Sequence, residues 1–380
     1  MRIGSPFPSP SAIPTLTSQS YVFDPRPNFP LLLTAKRYWD SSSWHVDDPD
    51  AVTLVFARGT GLHKETYELT LEDLYTLPDN NTRGPNPKIR DAWAIDCPNH
   101  GDAAILNEAM LRWGYEPIFG WQEYARGIHA FLSGLGTGVD VDFSKRRLVF
   151  VGHSFSAVAL VLTLTYQPPV KPEQLILVEI MCIRANAVPK MMQFVTEGSQ
   201  NRRDIWPSRK NAYQAFKARQ PWKSWDDRVL QKYVVRTLHS ANVLLHNPGM
   251  DRLLLGTRSY GPPHTGHPDK EGVTLKCTRQ QETAVYRDPL ASAVVYRMMG
   301  SIVKLVQTHV IYGSLADSLV GPGFADEDDF VGNSVGGEQV LASLTRIPNA
   351  GHLAVQTHPR EFAQIIFDIL AKGNSPQARL

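Results

Sequence analysis

Val149-Phe150-Val151-Gly152-His153-Ser154-Phe155-Ser156-Ala157 decides how this chain is read. An apolar, β-branched run enters a Gly-x-Ser-x-small turn and a helix-like stretch follows, the pattern of a nucleophile elbow. Such a turn is so tight that a large residue on either side would strike the neighbouring strand or helix. Gly152 meets that demand before the serine, and Ser156 with Ala157 meets it after. The elbow would lift the Ser154 hydroxyl clear of a sheet and turn the Phe155 N–H toward a developing oxyanion.

Outward from the elbow, four other runs share its strand character: Val52-Thr53-Leu54-Val55-Phe56-Ala57, Ala92-Trp93-Ala94-Ile95, Leu175-Ile176-Leu177-Val178 and His309-Val310-Ile311-Tyr312. Short, almost wholly apolar runs are expected of parallel strands covered on both faces. Helix-like stretches lie between several of them, at 121–132 and 157–165 for example. Strand, turn, helix, strand is the grammar of a doubly wound, mostly parallel α/β sheet, and the polar clusters ending these runs lie where such sheets build their sites. Residues 183–299 differ: they are rich in Trp, Arg, Lys and Pro, with helical patches at 210–219 and 228–245. They predict a helical cap inserted into the sheet domain, which would exclude water from the site. The chain thus divides into an irregular arm (1–30), a sheet domain in two parts (31–182 and 300–372), the cap between them, and a tail (373–380).

A serine hydroxyl needs a base to become a nucleophile at neutral pH. His352, in Ile347-Pro348-Asn349-Ala350-Gly351-His352, sits in a Gly-flanked loop before a last helix-like stretch at 359–371 and is the candidate. The order Ser, acid, His leaves two carboxylates, Glu179 directly after the Leu175–Val178 run and Asp317 after the His309–Tyr312 run, and position alone does not choose between them. A second oxyanion donor would come from Arg58-Gly59-Thr60-Gly61-Leu62, whose glycines let backbone approach a ligand; Leu62 or Gly61 is the expected N–H. Asn99-His100-Gly101-Asp102 reads as a structural turn, since one His and one Asp do not make a zinc site. Arg202, Arg203, Arg209 and Lys210 read as a solvated face rather than a grip on coenzyme A phosphates. Trp206, Trp222 and Trp225 read as cap packing.

With 42% hydrophobic and 20% charged residues and a net charge of +2, the chain has the make-up of a globular enzyme. It carries no electrostatic case for nucleic acid. Cys97, Cys182 and Cys277 lack metal-site spacing and read as reduced thiols, so neither metal nor cofactor is expected. No apolar run is long enough to span a bilayer, and the Pro- and Ser-rich first 14 residues lack the apolar core of a secretory signal. The last three, Ala378-Arg379-Leu380, resemble a peroxisomal address read by an import receptor, with a cytoplasmic location as the alternative.

Three segments taken together carry a family resemblance: 54–65 (Leu-Val-Phe-Ala-Arg-Gly-Thr-Gly-Leu-His-Lys-Glu), 96–102 (Asp-Cys-Pro-Asn-His-Gly-Asp) and 152–156 (Gly-His-Ser-Phe-Ser). With the cap segments 202–208 and 225–230, the chain resembles a fungal α/β-hydrolase family over about residues 50–370. That family includes proteins of host-selective toxin biosynthesis and the acyl-CoA hydrolase of mycophenolic acid biosynthesis. The resemblance implies an α/β-hydrolase fold, a small-molecule acyl ester or thioester substrate with coenzyme A as leaving group, peroxisomal tails, and an acid at the position of Glu179. Arg58 and Ser156 depart from the family's usual His and Gly, which bears on the substrate more than on the nucleophile. Cyclisation or carbon–carbon cleavage of a polyketide-like intermediate is the alternative reaction, and a non-catalytic ligand-binding protein the alternative class. A homodimer is left open.

Overall fold

The computed structural model describes residues 16–80, 86–240, 272–288, 290–315 and 327–373. Asp317 and the tripeptide Ala378-Arg379-Leu380 therefore lie outside the described residues.

Eight strands form one sheet: β1 (Leu16–Phe23), β2 (Leu33–Asp40), β3 (Val52–Ala57), β4 (Ile89–Ile95), β5 (Arg147–His153), β6 (Gln174–Val178), β10 (Gln307–Gly313) and β11 (Ser343–Ile347). Their order across the sheet is β1-β2-β4-β3-β5-β6-β10-β11. The six strands from β4 to β11 run parallel, while β1 pairs antiparallel with β2 and β2 with β4. Every residue of β3 and β6 is buried, as expected of runs that face side chains to two covered layers. Alternation sorts those side chains: Val55, Phe150, Leu175 and Leu177 join the layer beneath helices Trp121–Leu132, Phe155–Thr163 and Ala291–Leu305. Leu54, Phe56, Val149, Val151, Ile176 and Val178 face the opposite way, against helices Glu68–Asn80 and Pro359–Gly373. The doubly wound architecture follows directly.

Four expectations need correction. Leu16–Phe23, read as part of an irregular arm, is an edge strand whose eight residues pair in register with β2. The insertion between β6 and β10 is not purely helical. Besides helices Val188–Gln200, Arg209–Lys217, Asp227–Thr237 and Arg279–Tyr286, it holds a small antiparallel sheet of β7 (Ile205–Trp206), β8 (Leu238–Ser240) and β9 (Val273–Leu275), in the order β7-β9-β8. The helix expected over 228–245 accordingly ends at Thr237 and gives way to a strand. Helix Ala291–Leu305 spans the expected cap boundary at residue 299 and packs in the sheet domain's own core through Val295, Met299 and Ile302. The cap has a separate apolar cluster in which Trp206, Trp225 and Tyr233 are buried and Trp222 packs at the edge; Leu62 and Leu69 of the sheet domain reach into it. Among the described residues no helix is long and apolar enough to cross a membrane.

Candidate active site

The elbow is built as its sequence predicts. Ser154 follows β5 with φ 63° and ψ −129°, a region that costs a non-glycine residue on the order of 1–3 kcal/mol unless its surroundings enforce it. Enforcement is visible on both sides. A Cβ on Gly152 would lie 2.6 Å from the Ala157 Cα, so only glycine lets strand and helix meet. The Ser154 N–H donates to the Val178 carbonyl at 2.9 Å, tying the turn to β6. Ser156, where the family usually has glycine, fits because its hydroxyl donates to the His153 carbonyl at 2.8 Å and accepts from the His153 N–H at 3.2 Å.

His352 Nε2 lies 3.0 Å from Ser154 Oγ, and His352 Nδ1 lies 3.3 Å from Glu179 Oε2. A carboxylate can only accept, so Nδ1 carries the proton and Nε2 is left to accept from the serine hydroxyl. Glu179 is held by the adjacent strand β10: its N–H donates to the Ile311 carbonyl at 2.9 Å, and its Oε1 accepts the Gly313 N–H at the strand's end. Gly313 in turn abuts the histidine loop, where an added Cβ would lie 2.3 Å from the Ala350 carbonyl oxygen. The strand order thus brings together three side chains that are far apart in the chain. All three are buried.

The loop expected to supply the second oxyanion donor follows β3. Phe155 is the first residue of its helix, where N–H groups lack intrahelical acceptors; its ring packs against Trp121 and Tyr124. Gly61 is a correction. Its N–H donates to His100 Nε2 at 3.0 Å, so it is already committed. Thr60 and Leu62 line a small cavity of about 70 Å³ together with Ser154, His352, Met181 and Tyr286. Thr60 is a residue the sequence reading passed over. Arg58, buried at the foot of the loop, donates to the Gly59 carbonyl at 2.8 Å and lies 3.4 Å from Asp96. Since N–H and C=O point opposite ways across a trans peptide, this contact also orients the Thr60 N–H. A larger groove of about 510 Å³ opens beside Gln174, Gln307 and Gly373, at the other end of the strands, and has no part in this site.

Charges missed by sequence reading surround the loop. Lys64 is fully buried, 3.0 Å from Asp96 and also paired with Asp102, whose other oxygen meets Lys276 at 2.6 Å. Burial would discharge Lys64, but the carboxylates of Asp96, Glu65 and Asp102 outweigh it and raise its pKa. Arg202 is another correction: rather than sitting on a solvated face, it is half-buried and paired at 2.6 Å with the buried Glu282. Arg203, Arg209 and Lys210 are exposed, as expected. Among the described residues no three or more His, Cys, Asp or Glu side chains are placed to hold a metal.

His153 faces the His352 carbonyl oxygen through Nε2 at 2.8 Å and so is a donor there. Burial, helped by the neighbouring His352, pushes its pKa down to about 4. In the unfolded chain it would titrate near 6.5. A depressed histidine contributes stability that is present above the unfolded pKa and is lost as pH falls toward the folded one. Between pH 7 and pH 5 the His153 contribution is expected to fall by about 2 kcal/mol. Urea unfolding at the two pH values would measure it, and His153→Gln should flatten the dependence by that amount; an unchanged slope would show that His153 is not the group responsible.

A model of the alpha/beta hydrolase family matches residues 54–365. A type I acyl-CoA thioesterase, mpaH, from Penicillium roqueforti is 29% identical over 198 residues, 50% of this chain and 41% of that relative. The chain thus spans less than half the length of that relative. In overall structure it is similar to the peroxisomal alpha-beta-hydrolase Lpx1 of Saccharomyces cerevisiae, with a TM-score of 0.61, 18% identity, and coverage of 95% of this chain and 91% of that one. The thioesterase domain from the curacin biosynthetic pathway superposes with a TM-score of 0.56 and 15% identity, over 93% of this chain and 99% of that one.

Proposed function

Since this chain belongs to the alpha/beta hydrolase family, we propose that it hydrolyses an acyl thioester or ester of a small molecule through an acyl-enzyme on Ser154. The carrying observation is the relay from Ser154 Oγ to His352 Nε2 and from His352 Nδ1 to Glu179, set on a strained elbow. In the first step His352 takes the hydroxyl proton as Oγ attacks the carbonyl carbon. The Phe155 N–H and an N–H of the loop at Thr60 or Leu62 receive the oxyanion. Collapse expels the thiolate or alkoxide, which leaves with the proton held by His352. Water, deprotonated by the same imidazole, then attacks the acyl-enzyme and regenerates Ser154. Glu179 keeps His352 in the required tautomer and stabilises the imidazolium formed in each half-reaction.

An acyl-coenzyme A intermediate of fungal secondary metabolism is the substrate class we favour, supported by the likeness of half the chain to the mpaH thioesterase. The first assay is release of free coenzyme A from acyl-CoA esters of graded chain length, run in ¹⁸O-labelled water. Hydrolysis requires one solvent oxygen in the acid product. Turnover that releases coenzyme A without solvent oxygen in the product would replace hydrolysis with cyclisation, and absence of turnover across thioesters and oxyesters would sink the assignment.

A further inference from the structure

The turn at Asn99-His100, read from sequence as structural, reaches the loop on which this reaction would depend. We propose that His100 is a positioning residue of the oxyanion loop, holding the Gly61 N–H on its Nε2 so that the adjoining peptide groups face Ser154. The inference rests on the reading of Ser154 as the acylated nucleophile.

His100 is wholly buried. Its Nε2 lies 3.0 Å from the Gly61 nitrogen and its Nδ1 2.7 Å from Asn99 Oδ1. An N–H can be received only by an unprotonated ring nitrogen, so the single proton sits on Nδ1 and goes to the amide oxygen. Asn99 is itself oriented, because its Nδ2 donates to the Gln281 carbonyl at 3.0 Å. Burial, reinforced by the positive charges of Arg58 and Arg202, keeps the His100 pKa far below the ordinary histidine value, so the ring stays neutral. A one-way chain of hydrogen bonds therefore runs from Gly61 through His100 and Asn99 to the cap helix Arg279–Tyr286.

Gly61 is held on its other side too. The Tyr233 hydroxyl donates to the Gly61 carbonyl at 3.2 Å. Across the trans peptide the Leu62 N–H points away from that carbonyl, so fixing one aims the other. Slack is absent: Gly61 has φ +76°, and an added Cβ would come within 3.1 Å of Glu282 Oε1 and 3.5 Å of Arg202 Nη1. Two successive peptide planes are thus pinned, one by the sheet domain through His100 and one by the cap through Tyr233. A donor displaced by about 1 Å can cost on the order of a hundredfold in rate, which gives this anchoring a kinetic consequence that ordinary packing would lack.

The test uses the full chain, p-nitrophenyl butyrate as substrate and a fluorophosphonate to count active sites. In His100→Gln the side-chain oxygen can take the place of Nε2; in His100→Leu nothing can. Per labelled site, His100→Leu is expected to lose about tenfold to a hundredfold in kcat with KM within threefold of wild type. His100→Gln is expected to recover to within about fivefold of the wild type. Equal kcat for Leu and Gln variants, or a Leu variant that loses only thermal stability while each labelled site turns over normally, would overturn the proposal. Should His100→Leu fail to fold, Tyr233→Phe provides the second arm: a kcat at least threefold lower at unchanged KM is expected, and an unchanged kcat overturns it. A folded wild type that takes no fluorophosphonate would instead overturn the reading of Ser154, and this inference with it.

Discussion

Ser154→Ala is expected to lower turnover of any accepted ester by about 10⁴-fold or more while leaving the fold and substrate binding in place. The side chain is small and buried, and its backbone strain is enforced by neighbours rather than by its hydroxyl. Removing Oγ therefore deletes the bond-forming atom and little else. His352→Ala should cost a similar factor, because a serine without its base is a poor nucleophile. The double variant should be scarcely slower than either single one, since the two groups act as a unit. Intact-mass measurement after fluorophosphonate treatment is the companion readout, with one adduct on the wild type and none on either variant. A Ser154→Ala protein that still turned over, or was labelled at another residue, would remove the basis of the mechanism.

The second large effect is expected at Glu179. Glu179→Gln keeps the length and the contact with Gly313 but presents an amide to His352 Nδ1, inviting the imidazole into the tautomer that cannot accept the serine proton. A fall in kcat of about 10²- to 10⁴-fold is expected, with KM nearly constant and thermal stability lowered only slightly. Asp317→Asn is the control and should change the rate by less than about threefold. If the two variants exchanged those effects, Asp317 would be the acid and the 3.3 Å approach of Glu179 to His352 would be a resting contact only.

What could be read in the chain follows from how locally each feature is encoded. Strands buried on both faces show as apolar runs, so β3, β5, β6 and β10 were legible. β1 was not, because an edge strand such as Leu-Thr-Ser-Gln-Ser-Tyr-Val-Phe needs no such run: most of its residues are exposed or half-buried and it is held by backbone pairing. The cap strands, two or three residues long, are too short to display a period. The turn at Ser154 and the loop at His352 were legible because they are local backbone demands, with Gly152 and Gly351 marking them. The role of Gly61 was not, since its N–H is claimed by His100 and its surroundings are set by Arg202, Tyr233 and Glu282. Arg202 misled for the same reason. A cation and its distant carboxylate partner look, in a one-dimensional chain, like two solvated charges.

β6 and β10 are neighbours in the sheet, and the cap that lies between them in the chain leaves after Ile183 and returns at Ser292, whose hydroxyl donates to the Met181 carbonyl at 2.7 Å and accepts from the Ile183 N–H at 2.9 Å. The excursion therefore departs and returns at adjacent points of a finished framework, and the entropy of closing such an excursion rises only slowly with its length. Lineages carrying this framework could lengthen, shorten or exchange the excursion without disturbing the pairing that sets Ser154, Glu179 and His352 in place. Substrate range and catalytic competence would then drift at separate rates. Gly61 marks the limit of that freedom, because a replacement cap lacking a counterpart of Tyr233 would keep the contacts among Ser154, His352 and Glu179 but leave the Gly61 carbonyl without the hydroxyl that holds it.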